Sequence, residues 1–142
     1  MNAAEKIVFR LNDVPYIEST DNMMRNRVMV TEDTCGSQQY SAGIFYVRPG
    51  SRGHADKHVG QEELYYITEG RGIVVIDDEP HPIEAGDVVF IPDGSEHYLI
   101  NESDETLGLF WAIAKPWNSL PEIQEELAKW HEVEEGSDWQ HG

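Results

Sequence analysis

This 142-residue sequence has little cysteine, few basic residues and no long hydrophobic run. Its single cysteine, Cys35, excludes an internal disulfide framework and fits a reducing compartment. No apolar segment is long enough to cross a bilayer, and the N-terminal residues lack the apolar core of a signal peptide. We therefore expect a cytoplasmic protein without a membrane partner.

The scarcity of positive charge also limits the choice of partner. Ten lysines and arginines stand against 27 aspartates and glutamates, which gives a formal net charge of -17. Because nucleic-acid phosphates must be met by Lys and Arg, we expect no nucleic-acid partner. Solubility, a saline habitat or a cationic ligand would each account for the charge. The GxGxxG, P-loop and nucleophile-elbow motifs are absent, so nucleotide-dependent and serine-hydrolase chemistry lack support.

Short apolar segments separated by turn residues fill the middle of the chain. Each is rich in Val, Ile, Tyr and Phe and is too short for a helix. The segments read AGIFYV, ELYYIT, GIVVID, DVVFIP, HYLIN and LGLFWAIA. Their regular spacing favours a single all-β domain, either a sandwich or a barrel, that is strand-rich from about residue 42 to residue 114.

The two flanking regions have different patterns. Residues 1–39 read as one or two less regular strands or a lid. In the C-terminal region, 115–142, Ser119 and Glu122 form a helix-start signature. Apolar residues then recur on one helical face, at Leu120, Ile123, Leu127 and Trp130. We predict a short helix over 119–131 followed by an acidic tail.

Potential metal ligands are concentrated just before the ELYYIT segment. If HADKH is extended, His54, Asp56 and His58 share one face, and Glu63 and Tyr65 share a face of the next strand. Neutral imidazole and carboxylate are common ligands of Mn, Fe, Ni and Zn. The alternative is a solvated surface run near a turn.

A second segment favours the metal site over the solvated run. His97 follows a Pro-Asp-Gly turn and enters another predicted strand, so it can approach the first cluster from elsewhere in the fold. The remaining histidines carry little weight, because they fall in a predicted turn, helix and tail: His81, His131 and His141.

The spacing of these residues resembles the two motifs of the cupin family. The first motif is Gly, five residues, His-x-His, three or four residues, Glu, six residues and Gly. The matching positions are Gly50, Asp56, His58, Glu63 and Gly70. The second motif is Gly, five residues, Pro-x-Gly, two residues, His, three residues and Asn. It is complete at Gly86, Pro92, Gly94, His97 and Asn101.

The resemblance covers about residues 40–114 and implies a fold and a cofactor. The fold is a small double-stranded β-helix, or jelly-roll barrel, of two antiparallel sheets. The cofactor is one divalent transition metal, Fe, Mn, Ni or Zn, which the family binds through its motif residues. Here that implies His58, Glu63 and His97 as ligands.

The first ligand position departs from the family pattern, because Asp56 stands where the family has His. One reading makes Asp56 the fourth ligand. The other lets His54 reach the metal from a locally bulged strand, with Asp56 beside it as ligand or orienting neighbour. A degenerate site that binds no metal is a third possibility.

A metal with open coordination positions would polarise a small substrate or O2. Tyr65 shares the face of Glu63 and is the candidate proton donor; the alternative is a core tyrosine. The predicted function is therefore a metal-dependent, dioxygenase-like enzyme acting on a small oxygenated substrate. The alternatives are a non-redox lyase, isomerase or decarboxylase, and a non-catalytic barrel that binds a sugar or acid.

The resemblance to cupins and the outward-facing Tyr66 and Tyr98 imply a homodimer.

Overall fold

A computed structural model describes residues 7–21, 23–114 and 128–134. Within these ranges nearly all regular structure is β-strand, apart from a four-residue helix, α1, at Glu32–Cys35 and a 3-10 turn at Leu11–Asp13. The strands are β1 Tyr16–Glu18, β2 Met24–Val30, β3 Tyr40–Val47, β4 Ser51–Arg52, β5 Glu63–Glu69, β6 Arg71–Ile76, β7 Glu79–Glu84, β8 Val88–Ile91, β9 His97–Asn101, β10 Leu107–Ala114 and β11 His131–Val133. The predicted all-β class is confirmed, and each of the six apolar segments lies in or overlaps a strand.

Two antiparallel sheets make up the fold. The larger has the order β11-β1-β2-β3-β10-β5-β8, and the smaller has the order β4-β9-β6-β7. Their strands pair antiparallel throughout. Closure of the two sheets into a jelly-roll barrel stays a prediction.

The hydrophobic core joins the inner faces of both sheets. Ile67 and Leu109 from the larger sheet and Val74 and Leu99 from the smaller one belong to a single buried cluster. Successive side chains of a strand point to opposite faces, so the alternating buried and exposed residues of β5 place one face in this core. Each fully buried aliphatic side chain stabilises the fold by about 1.5–3 kcal/mol.

Local sequence explains the connections near the site. Asp77 and Asp78 form the two-residue turn between β6 and β7 with φ angles of 48° and 67°. Positive φ at both positions is the signature of a type I′ hairpin, which Asp tolerates better than most residues. At the end of β9 the buried Asn101 donates from Nδ2 to the carbonyls of Val47, at 3.1 Å, and Glu105, at 2.8 Å. The last residue of the second motif therefore holds strands together.

The predicted C-terminal helix needs correction at its end. Most of it, residues 119–127, lies outside the described residues, as does the acidic tail at 135–142. Residues 128–130 are not helical, and His131 begins strand β11, which pairs with β1 through the register Tyr16↔Val133. Pairing with this sheet edge satisfies backbone groups that the predicted helix would have satisfied internally. Within the described ranges, no helix has the length and apolar character needed to span a membrane.

Candidate metal centre

The connection between β4 and β5 brings two potential ligands opposite each other. Asp56 and His97 exchange both backbone hydrogen bonds, at 2.9 Å and 2.8 Å, and form an isolated antiparallel bridge. His58 is held two residues further along by the Gly94 amide, which donates to its carbonyl at 3.1 Å. As a result, potential ligand atoms of Asp56, His58 and His97 all lie within 4.8 Å of one another.

The Pro-Asp-Gly turn before β9 sets the position of His97. Gly94 has φ = 78°, and the Ser95 amide donates to the Pro92 carbonyl at 3.1 Å, which closes the turn. The Asp93 carboxylate accepts a hydrogen bond from the Gly60 amide at 2.6 Å. This contact ties the turn to the segment that carries His58.

Glu63 joins the group from the larger sheet. Its Oε1 lies 3.0 Å from Nε2 of His97, and both side chains are buried. The other ring nitrogen of His97, Nδ1, lies 3.0 Å from the Ser95 carbonyl, which can only accept a hydrogen bond. Nδ1 therefore donates, and Nε2 faces Glu63. Burial lowers the pKa of His97, but the hydrogen bond that His97 donates to Glu63 and the charges of Glu63 and Asp56 outweigh this effect and raise the pKa above its ordinary value.

His54 points elsewhere. Its Nε2 lies 2.7 Å from Oδ2 of Asp21 in the turn between β1 and β2, and its side chain is 59% exposed. Ser19 Oγ and the Met23 amide also donate to that aspartate, at 2.6 Å and 3.1 Å. Of the five residues predicted as ligands, the structure thus brings together Asp56, His58, Glu63 and His97, and it places His54 in a separate ion pair.

Tyr65 lies on the inner face beside Glu63, as the alternation of β5 predicts. Its hydroxyl donates to Glu63 Oε1 at 3.4 Å, and its ring centroid is 6.4 Å from that of His97. Burial, together with the negative charges of Glu63 and Asp56, raises the pKa of Tyr65 well above its ordinary value. At neutral pH its hydroxyl therefore keeps its proton and acts as a donor.

The donor set fits a divalent transition metal. Two imidazoles and two carboxylates are ligand types that Mn, Fe, Ni and Zn accept. Among the residues that the structure describes, buried Nδ1 of His58 has no hydrogen-bond partner. An inert core histidine would have both ring nitrogens satisfied. The incompletely bonded ring of His58 lies 5.4 Å from the ring of His97, measured between centroids, and this unused nitrogen indicates a site that binds a further group.

Sequence reasoning missed two further residues on the inner face. Gln61 is 3% exposed, and its Nε2 donates to the Ala114 carbonyl at 2.6 Å. The alternation of β5 could have identified it, because it precedes Glu63 by two positions. Asn26 accepts a hydrogen bond from the Trp111 indole at 2.9 Å across 85 positions of sequence. No local pattern signals that contact.

Comparison with known proteins places the fold in a family. A model of the cupin domain matches residues 43–113, which covers both motifs. The chain is a cupin. The resemblance seen in the motif spacing is therefore confirmed.

The relatives of this cupin are diverse. It is 34% identical over 127 residues to the polyketide synthase CurC of Streptomyces cyaneus, covering 86% of this chain and 81% of the relative. It is 36% identical over 78 residues to protein SchB of Streptomyces halstedii, covering 55% of this chain and 56% of the relative. The match thus spans just over half of SchB. Among solved structures, a predicted oxalate decarboxylase from Thermotoga maritima superposes with a TM-score of 0.68 and 25% identity, covering 77% of this chain and 99% of the other.

Proposed function

We propose that this cupin binds one divalent transition metal and uses it in non-redox acid–base chemistry on a small organic acid, as a decarboxylase or lyase. The observation that carries the proposal is the Tyr65 hydroxyl, a buried proton donor 3.4 Å from Glu63 in the midst of the potential ligands. Because burial raises the pKa of Tyr65, the phenol keeps its proton at neutral pH and can transfer it to a strongly basic site such as a carbanion.

The ligands in this proposal are His58, Glu63, His97 and Asp56. Asp56 is preferred over His54 for the fourth position, because Asp56 already lies within 4.8 Å of the two histidines. The Nε2 atom of His54 is instead engaged with Asp21. The metal identity, Fe, Mn, Ni or Zn, is left to measurement.

The residues around the metal have distinct roles. When bound, a divalent metal would act as a Lewis acid toward an oxygen of the substrate. Tyr65 would donate the proton that the substrate carbon needs when a carboxylate leaves as CO2. The apolar inner wall, with buried Ile67, Val89, Leu99 and Ile113, would exclude bulk water from the reacting groups. We infer that the two sheets enclose this site as a small jelly-roll barrel.

Similarity to the predicted oxalate decarboxylase from Thermotoga maritima supports a small carboxylate as the substrate class. Four protein ligands leave one or two positions free on a six-coordinate metal, which suits a compact substrate that binds through oxygen. Because fold alone does not define a reaction, the non-redox reaction class rests on Tyr65.

The test begins with elemental analysis of untagged protein, followed by incubation of each metal-loaded form with small mono- and dicarboxylic acids. Product formation is followed by 13C NMR. We expect Tyr65→Phe to keep its metal and its fold but to lose about 10²–10⁴-fold in rate. Unchanged turnover in Tyr65→Phe would remove its assigned role. Binding of the acids without turnover in any metal form would favour a non-catalytic binding barrel.

A dioxygenase is the second candidate, and the composition of the ligand set favours it. Two histidines and one carboxylate, as His58, His97 and Glu63 provide, are the donors of non-haem Fe(II) oxygenases. Oxygen uptake by the Fe(II)-loaded protein with an organic substrate would support this candidate. Turnover by the Zn(II) or Mn(II) form under nitrogen would support the non-redox reaction.

We also propose that two copies of the chain associate through the outer face of the larger sheet. The outer apolar face consists of exposed side chains on three adjacent strands: Leu64, Tyr66, Val88, Phe90 and Phe110. The register places Tyr66 beside both Val88 and Phe110, and Leu64 beside Phe90, so these side chains form one patch. A contiguous exposed patch of this kind marks an interaction surface.

Charge favours a second copy as the occupant of this face. The patch carries no charged side chain, although the whole chain has a net charge of -17. Two copies related by a two-fold axis can therefore meet here without bringing acidic groups together. The same sheet face continues along the row Phe110, Ile44 and Arg27. There Arg27 donates to the Leu11 and Val14 carbonyls. Leu11, which is 49% exposed, can extend the contact toward the ~800 Å² per partner of a standard interface.

A further inference from the structure

Two buried side-chain polar atoms on the segment that leads into β5 lack hydrogen-bond partners within the described part of the chain. They are Nδ1 of His58 and Oε1 of Gln61, three residues apart in sequence. Leaving such atoms unpaired in a buried site costs free energy, so native proteins normally satisfy them. The two atoms are also complementary, because an imidazole N–H donates and an amide oxygen accepts.

The orientation of the Gln61 amide follows from its other contact. The amide group donates to the Ala114 carbonyl at 2.6 Å, and a carbonyl cannot donate in return. The nitrogen must therefore face Ala114, and the oxygen is the end left without a partner. Gln61 is 3% exposed, so bulk water does not supply the missing donor.

His97 shows how a histidine at this site is held. Its Nδ1 donates to the Ser95 carbonyl at 3.0 Å, which leaves Nε2 facing Glu63 at 3.0 Å. A metal-binding histidine generally donates its second ring N–H to an acceptor, which selects the tautomer and orients the ring. His58 has no such acceptor in this structure, and Gln61 carries an unused one.

We propose that Gln61 is a positioning residue for the metal site: in the metal-loaded protein its Oε1 accepts a hydrogen bond from Nδ1–H of His58. Nε2 of His58 is then the metal-binding atom, as in His97. Gln61 would hold the backbone of β10 with one end of its amide and the ring of His58 with the other. This inference rests on the proposed metal site.

Two substitutions separate the roles of the two ends of the amide. Gln61→Met has a similar length but neither donor nor acceptor, whereas Gln61→Glu keeps an acceptor and, as a carboxylate, loses the donor. Both variants should therefore lower the melting temperature of the metal-free protein through the lost contact with Ala114. Only Gln61→Met should weaken Zn(II) binding, by about 10–100-fold, as measured by competition with a chelating dye. Gln61→Glu should bind Zn(II) at least as tightly as wild type.

Equal Zn(II) affinity in Gln61→Met and wild type would overturn the proposal. An equal loss in both variants would overturn it too, because the effect would then follow fold stability alone. Failure of wild-type protein to take up Zn(II) would instead defeat the proposed metal site itself, so the two failures are distinguishable.

NMR of 15N-histidine-labelled, Zn(II)-loaded protein provides a readout that stability does not affect. We expect His58 to show a protonated Nδ1 protected from solvent exchange and a metal-bound Nε2. In Gln61→Met the Nδ1 proton should exchange faster, while the corresponding signal of His97 should not change. A His58 ring bound to Zn(II) through Nδ1 would contradict the proposal.

Discussion

The two faces of strand β5 differ from the usual pattern in which side chains they bury and which they expose. Its inner face begins with buried Glu63 and Tyr65, whereas its outer face exposes Leu64 and Tyr66 to 40% and 46%. An antiparallel sheet with one solvated face normally buries the apolar side and exposes the polar side. The buried carboxylate of Glu63 and the exposed apolar surface of Leu64 and Tyr66 each therefore require a partner.

The inner and outer faces of β5 differ in the contacts that their side chains already make. On the inner face, His97 lies 3.0 Å from Glu63, and we propose that a metal completes the site. On the outer face, side chains of β5 and its neighbours on β8 and β10 are exposed among the residues that the structure describes, and we propose that a second copy of the chain covers them. Alternate residues of one strand can therefore contribute to a chemical site on one face and to an assembly surface on the other.

Removing a central ligand should have the largest effect on the inner face. We expect Glu63→Gln and His97→Ala each to weaken metal binding by more than the ~10–100-fold caused by changing an outer-shell partner. Chelator competition and elemental analysis measure the loss. His81→Ala is the matched control, because His81 is exposed on β7, away from the cluster. Full metal content in Glu63→Gln would refute the assigned ligand set.

A charge placed on the outer face should break the assembly and leave the inner face intact. We expect Phe90→Glu to weaken self-association by at least about 2 kcal/mol, roughly 30-fold in the dimer Kd, because it buries an unpaired carboxylate in the interface. Sedimentation velocity measures this shift, and metal content should stay that of wild type. His81→Glu, on an exposed position of the other sheet, should leave the dimer unchanged. A wild-type protein that sediments as a monomer at micromolar concentration would rule the interface out.

Comparison of Asp56→Ala with His54→Ala tests which of the two residues is the fourth metal ligand. We expect Asp56→Ala to weaken metal binding by about tenfold or more, because it removes a ligand within 4.8 Å of both histidines. His54→Ala should change the affinity by only a few-fold, since its ring is bonded to Asp21. The reverse ranking, measured by dye competition, would make His54 the fourth ligand.

The smallest expected effect is a pH dependence of the stability of the metal-free protein. Because the pKa of His97 is raised in the folded state, the proton it shares with Glu63 stabilises the fold fully below the unfolded pKa of about 6.5. That stabilisation is lost as the pH rises through the higher folded pKa, since the folded state then binds more protons than the unfolded state. The melting temperature of the metal-free protein, measured with a chelator present, should therefore fall between about pH 5.5 and about pH 8.5. Glu63→Gln should flatten this slope, whereas an unchanged slope would assign it to other groups.

Metal uptake should follow the opposite trend. A metal must displace the proton held between Glu63 and His97, so its affinity should rise as the pH increases through the His97 pKa. Isothermal titration with Zn(II) in buffers of different ionisation enthalpy measures the number of protons released. Uptake without proton release would show that His97 is neutral before the metal binds.

Short-range sequence patterns predicted most of the local structure. Alternation predicted that Glu63 and Tyr65 face inward, and the Pro-Asp-Gly turn predicted the strand that begins at His97. The spacing within the two motifs, residues 50–70 and 86–101, identified the family that the comparison confirmed. These features depend on periodicity and turn chemistry, which a few neighbouring residues encode.

Long-range contacts, which no local pattern encodes, set the direction of the His54 side chain and place His131 in a strand. His54 turns to Asp21, 33 positions away, while Asp56 bridges to His97, 41 positions away. His131, predicted as the end of a helix, instead begins a strand that pairs with β1 near the other end of the chain. Such contacts join segments that are distant in sequence, and their stability depends on whether the rest of the fold brings those segments together, so no local pattern determines them.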